Sequence, residues 1–117
     1  QVDEAVDRLV GLAPRAILFA YTSSSYALGA EGERRARARL EARAKGIPVI
    51  PTCHAAAAAL ARLGARRVAL VHPPWFPEAS NEAGAAYWRA AGLDVVRSVR
   101  MQPDRPFHEV APAELHD

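Results

Sequence analysis

The sequence predicts an α/β fold, a three-layer α-β-α arrangement built on a parallel sheet. Short unbroken apolar runs recur along the chain, as in Ala16-Ile17-Leu18-Phe19-Ala20 and Val68-Ala69-Leu70-Val71. Runs without polar alternation fit strands covered on both faces. Between them lie segments of helical periodicity closed by Gly11, Gly46, Gly64 and Gly92, and glycine suits the residue just past a helix end. The unit of helix, glycine stop, apolar strand and polar loop then repeats, which is the pattern of a parallel α/β domain.

Each element has its own warrant. Val2, Ala5, Val6, Leu9 and Val10 form an apolar stripe at helical spacing before Gly11. Pro14 precedes the strand run Ala16 to Ala20, and the next helix is expected from about Glu31 to Ala44, ending at Gly46. Ile47-Pro48-Val49-Ile50-Pro51 reads as a short strand whose prolines limit pairing. Thr52 to Leu63 is a helix candidate closed by Gly64, and Val68 to Val71 is the third strand. The proline loop His72-Pro73-Pro74-Trp75-Phe76-Pro77 follows, then a helix over Asn81 to Ala91 and a strand over Leu93 to Val99.

Composition narrows the function classes. The 117 residues are 50% hydrophobic and 24% charged, ordinary for a globular domain with one core. The formal net charge is only +2, and the arginines from Arg34 to Arg43 are interleaved with Glu31, Glu33 and Glu41. Such mixing reads as a solvated helix face with i,i+4 pairs, so no nucleic-acid partner is expected. No segment approaches the roughly 20 apolar residues of a membrane span, and no export signal is visible. A cytoplasmic location and no membrane partner are the default expectations. Cys53 is the sole cysteine, which excludes an internal disulfide framework or a multi-thiolate zinc site.

The chain starts inside a helix-like pattern without an initiating Met, and Pro112 would open another helix near its end. Residues 1–117 are therefore expected to be a single α/β lobe cut from something longer at both ends.

Right-handed crossovers place every post-strand loop along one sheet edge, where parallel sheets bind ligands. That edge gathers Tyr21 to Tyr26, Thr52 to His54, and His72 to Phe76. Thr22-Ser23-Ser24-Ser25 is the most informative run, since four consecutive hydroxyls suit a carboxylate or phosphate pocket. The alternative is a Ser-rich loop that caps the following helix. Thr52 is expected as the N-cap of its helix, with a possible share in the pocket. Cys53 reads as a small core residue or as a thiolate favoured at a helix N-terminus. His54 reads as a surface residue or a base. His72, stiffened by two prolines, is a backbone-bonded histidine or a proton donor and carboxylate ligand. Trp75 and Phe76 form an apolar wall over the pocket or seal a sheet edge or subunit contact. Tyr87 and Trp88 read as core-packing helix residues. Met101, Phe107 and His108 carry no functional signal. With neither a GxGxxG fingerprint nor a P-loop, nucleotide binding has little support.

The ordered series Phe19 to Gly29, Gly46-Ile47-Pro48-Val49-Ile50 and Ala59 to Val71 resembles the maleate cis-trans isomerase and arylmalonate decarboxylase branch of the aspartate/glutamate racemase superfamily. The resemblance implies one of two similar α/β lobes, with the active site between them and the facing lobe absent from this chain. Family members place a catalytic cysteine before a Thr-Ser pair. Here Tyr21 occupies the cysteine position, while Thr22 and Ser23 match the pair that holds a substrate carboxylate or enediolate. The decarboxylases likewise lack that first cysteine. Where the family's third loop offers Thr-Pro-Tyr, this chain has His72-Pro73-Pro74-Trp75-Phe76. Cys53 lies at neither catalytic position.

The implied activity is isomerisation or racemisation of a small carboxylic or dicarboxylic acid through an enediolate or thiol adduct. An arylmalonate-type decarboxylase is the near alternative. Tyr21, Thr22 and Ser23 are the catalytic candidates, and Thr22, Ser23, Ser24, Thr52, His72 and Trp75 the substrate-binding ones. Neither a metal nor an organic cofactor is expected, and the protein is expected to form a homo-oligomer. Two other classes remain open at this stage: a non-catalytic small-acid binding module, and a structural oligomer domain anchored by Trp75 and Phe76.

Overall fold

The computed structural model describes residues 1–102, so Phe107, His108 and the helix expected from Pro112 lie outside the described residues. Eight elements follow one another: α1 (Val2–Val10), β1 (Ile17–Phe19), α2 (Thr22–Arg43), β2 (Val49–Pro51), α3 (Thr52–Arg62), β3 (Arg67–His72), α4 (Glu78–Ala90) and β4 (Asp94–Arg100). The fold is the three-layer α/β class with parallel strands that the alternation predicts. Among the described residues, no helix is long and apolar enough to cross a membrane.

Two helix starts differ from expectation. The helix expected from about Glu31 is present as the second part of α2, while a first part that starts at Thr22 makes the hydroxyl run helical rather than a loop. Its serines hid this, because Ser favours caps and turns over helix interiors. The helix breaks at Gly29, whose φ of 65° and ψ of 171° lie in a region essentially restricted to glycine. α4 starts at Glu78, three residues early, with Pro77 as its extended N-cap and acceptor for the N–H groups of Ser80 and Asn81. Gly11 keeps a right-handed φ of −61°, and Ala13 takes the positive φ after α1 instead.

The strands form two parallel pairs, β1–β2 and β3–β4. Ile17, Leu18 and Phe19 pair with Val49, Ile50 and Pro51, and β3 runs from Arg67 opposite Asp94 to His72 opposite Arg100, with a bulge after Val68. Among the described residues no ladder joins the pairs. α2 packs against β2, α4 against β4, and the two helices against each other. Two cores result. Val6, Ile17, Leu40, Ala44 and Val49 close the first, and Cys53, Ala85, Tyr87, Trp88 and Val95 the second.

The charged face of α2 is less solvated than its sequence suggests. Glu31 pairs with Arg34 and Arg35 and Arg37 with Glu41, as i,i+3 and i,i+4 spacing predicts. Arg39 and Arg43, however, reach across to Asp3 and Asp7 and clamp α1 onto α2. The Arg43 bond holds the Asp7 carboxyl below its ordinary range. Glu33, read as part of that solvated face, is buried instead.

Candidate functional site

The site begins where β1 ends. The Tyr21 N–H bonds to the Phe19 carbonyl, and Tyr21 takes extended φ/ψ as the N-cap of α2, with its phenol 64% exposed. Thr22, Ser23 and Ser24 occupy the first turn of α2 and are half-buried. The backbone N–H groups of a first helical turn have no intrahelical acceptor and carry the positive end of the helix dipole. Among the described residues, no side-chain hydrogen bond engages the hydroxyls of Thr22, Ser23 or Ser24. Three hydroxyls and an open helix start therefore share one position, which suits a small anion.

β2 closes in beside it. Thr52 is the first residue of α3, and Pro51, not Thr52, is the N-cap. The Thr52 hydroxyl donates to the Phe19 carbonyl at 3.0 Å, so the expected cap is instead a tie between the ends of β2 and β1. Cys53 is fully buried, and its Sγ–H faces the Thr22 carbonyl at 3.9 Å. Burial pushes the Cys53 thiol above its ordinary range, opposing any help from the helix N-terminus. It is the core residue of the two readings. His54 is exposed, and its Nε2 accepts from Arg37 Nη1 at 2.9 Å.

The third post-strand segment leaves the end of β3. His72 is 3% exposed, and its Nε2 lies 3.1 Å from Ser98 Oγ. Its ring stacks on Phe76 at 5.9 Å and meets the edge of Tyr26 at 6.0 Å. Burial lowers the His72 pKa, which favours the neutral ring. The structure thus buries His72 against Tyr26 and Phe76 and bonds it to a side chain rather than to backbone. Trp75 is 66% exposed, whereas Phe76 packs edge-on to Tyr26 and its carbonyl accepts from Arg100. Phe76 seals the edge; Trp75 stands outside it.

Tyr26 and Glu33 carry roles that residue patterns did not reveal. Tyr26 lies one helical turn beyond Thr22, packs on His72, Phe76 and Tyr87, and accepts a bond from Trp88 Nε1 at 3.0 Å. Glu33 Oε1 accepts from the Tyr87 hydroxyl at 2.7 Å. An aromatic four residues after Thr22 was the available signal for the first; the second showed only as a carboxylate between Ala30 and Leu40 on the inward face. Among the described residues, no cluster of three or more His, Cys, Asp or Glu could hold a metal ion.

No family model matches the chain, and no curated protein matches it. Solved structures do. A Nocardia farcinica maleate cis-trans isomerase with a covalently bound succinylcysteine intermediate is 25% identical, with a TM-score of 0.78 over 88% of this chain and 43% of that one. Structural homology points to the aspartate/glutamate racemase superfamily, in its maleate isomerase and arylmalonate decarboxylase branch. The maleate isomerase Iso from Pseudomonas putida S16 shares the fold at 22% identity and a TM-score of 0.77, over 86% of this chain and 42% of its own. Unliganded arylmalonate decarboxylase shares it at 21% identity and a TM-score of 0.82, over 97% and 49%. The chain spans less than half the length of these three relatives.

Proposed function

We propose that this chain provides one wall of the active site of a cofactor-independent enzyme acting on a small carboxylic or dicarboxylic acid, most simply an isomerase. The observation that carries this is the position of Thr22 and Ser23: hydroxyls that no hydrogen bond engages among the described residues, on the first turn of a helix at the carboxyl end of a parallel strand. Their O–H groups and the adjacent backbone N–H groups donate to a substrate carboxylate. When a proton or carboxyl group leaves the neighbouring carbon, charge flows into that carboxylate as an enediolate. Fixed donors then bind the charged state more strongly than the ground state, which lowers the barrier.

Within the site the residues divide by role. Thr22, Ser23 and Ser24 hold the carboxylate, and exposed Trp75 forms an apolar wall for the rest of the substrate. Thr52 positions the strand ends, its proton already committed to Phe19. His72 supports from behind. Tyr21, exposed at the head of α2, contributes contact with substrate. Buried Cys53 is not the thiol for such chemistry. The reacting thiol comes from beyond these residues, in keeping with relatives about twice as long, one of which is described with a succinylcysteine. The facing lobe and a homo-oligomeric assembly belong to the same proposal.

Full-length protein should be assayed against maleate, arylmalonates and chiral amino acids. Replacing Thr22 by Val or Ser23 by Ala should lower turnover about 10²-fold, the usual loss for one oxyanion donor. Turnover of none of these acids by folded protein, or full activity in both variants, would count against the proposal. The decarboxylase alternative is favoured by Tyr21, which leaves no thiol at the head of the hydroxyl run. Release of CO2 from arylmalonates without maleate isomerisation would select it.

A further inference from the structure

α2 packs closely against α4, and Tyr26 lies at that contact. We infer that the Tyr26 ring is a positioning residue that sets the separation between the Thr22–Ser24 hydroxyls and the His72–Phe76 loop. The inference rests on the proposed carboxylate site. Tyr26 is i+4 from Thr22, so ring and hydroxyl share one face of a single helical turn, and a shift of the ring moves the hydroxyl with it. On its far side the ring packs on the β3–α4 unit. His72 and Phe76 meet it edge-on with centroids at 6.0 and 6.5 Å, Tyr87 packs at 6.0 Å, and Trp88 Nε1 bonds its oxygen at 3.0 Å.

Gly84 completes the socket. A Cβ there would stand 2.8 Å from Tyr26 Cε2 and 3.0 Å from His72 Cε1, so the absence of a side chain at Gly84 leaves the ring its space. No strand ladder joins the two strand pairs among the described residues, and this spacing is therefore set by side chains. The Cys53 contact with the Thr22 carbonyl anchors α2 to the β2 end, and the Tyr26 contacts with His72 and Phe76 hold it against the β3 loop.

The test measures maleate affinity of full-length protein by calorimetry, well below the unfolding midpoint, for wild type, Tyr26→Phe, Tyr26→Leu, Gly84→Ala and Thr22→Val. Tyr26→Phe keeps the ring and should bind within about 3-fold of wild type. Tyr26→Leu, and Gly84→Ala, which displaces the ring while keeping Tyr26, should each weaken binding at least 10-fold. Wild-type affinity in folded Tyr26→Leu or folded Gly84→Ala would overturn the inference. If Tyr26→Leu does not fold, Gly84→Ala decides alone, and if both fail, Tyr26→Trp, which enlarges the spacer, must weaken binding 10-fold or the inference falls. Binding lost in Thr22→Val but intact in the ring variants sinks only the positioning role. No binding by wild type, or binding indifferent to Thr22→Val, sinks the carboxylate site and the inference with it.

Discussion

Removing the Tyr87 hydroxyl is the sharpest probe of how the two halves of this chain hold together. Tyr87 and Glu33 are both buried, 54 residues apart in sequence, and joined by a 2.7 Å bond between α4 and α2. Burial, and then the bond to Glu33 and its charge, push the Tyr87 phenol well above its ordinary value, so it remains a donor across the usable pH range. Among the described residues, Glu33 Oε2 already lacks a partner. Tyr87→Phe therefore leaves a buried carboxylate with none. Losing a hydrogen bond to a charged group, with the desolvation it offsets, costs roughly 1.5–3 kcal/mol. Cavity terms stay small because the ring remains. Urea denaturation at pH 7 should show that loss in Tyr87→Phe at unchanged m-value. The double variant Tyr87→Phe/Glu33→Leu, which removes both polar partners, should recover much of it. A Tyr87→Phe loss below about 0.5 kcal/mol would refute the reasoning, because a buried carboxylate stripped of its donor cannot be that cheap.

Gly29→Ala places a side chain at φ 65°, ψ 171° and should destabilise by about 1–3 kcal/mol in thermal or urea unfolding. Thr52→Val deletes the bond to Phe19 O and should cost about 1 kcal/mol, with faster amide exchange at the ends of β1 and β2, while Thr52→Ser should restore both. The depressed pKa of His72 means that the unfolded chain takes up this proton first as pH falls. The associated stability is complete above about pH 6.5 and is lost as pH drops from there through the lower folded pKa. His72→Gln should flatten that part of the stability–pH curve, and an unchanged slope would show that another group carries it.

Elements with a local signal are legible in the amino-acid order. Continuous apolar runs marked Ile17–Phe19 and Arg67–His72, and helical spacing with a following Gly64 or Gly92 marked α3 and α4 to within a few residues. The post-strand placement of the Thr22–Ser24 hydroxyls was equally legible, because parallel connectivity sends such loops to one edge. Their helical state was not. Serine propensity argues for a loop, and it is the packing of Tyr26 and Cys53 behind them that holds the turn. Features that depend on partners far apart in sequence emerge with the folded chain. Thr52 became a tie to Phe19 rather than a cap, His72 was drawn inward to Ser98, and Glu33 left the arginine face for Tyr87. The division into two strand pairs was decided there as well. Periodicity says which face of a strand is apolar, but not whether a strand or a helix will cover it, and here α2 and α4 cover it together.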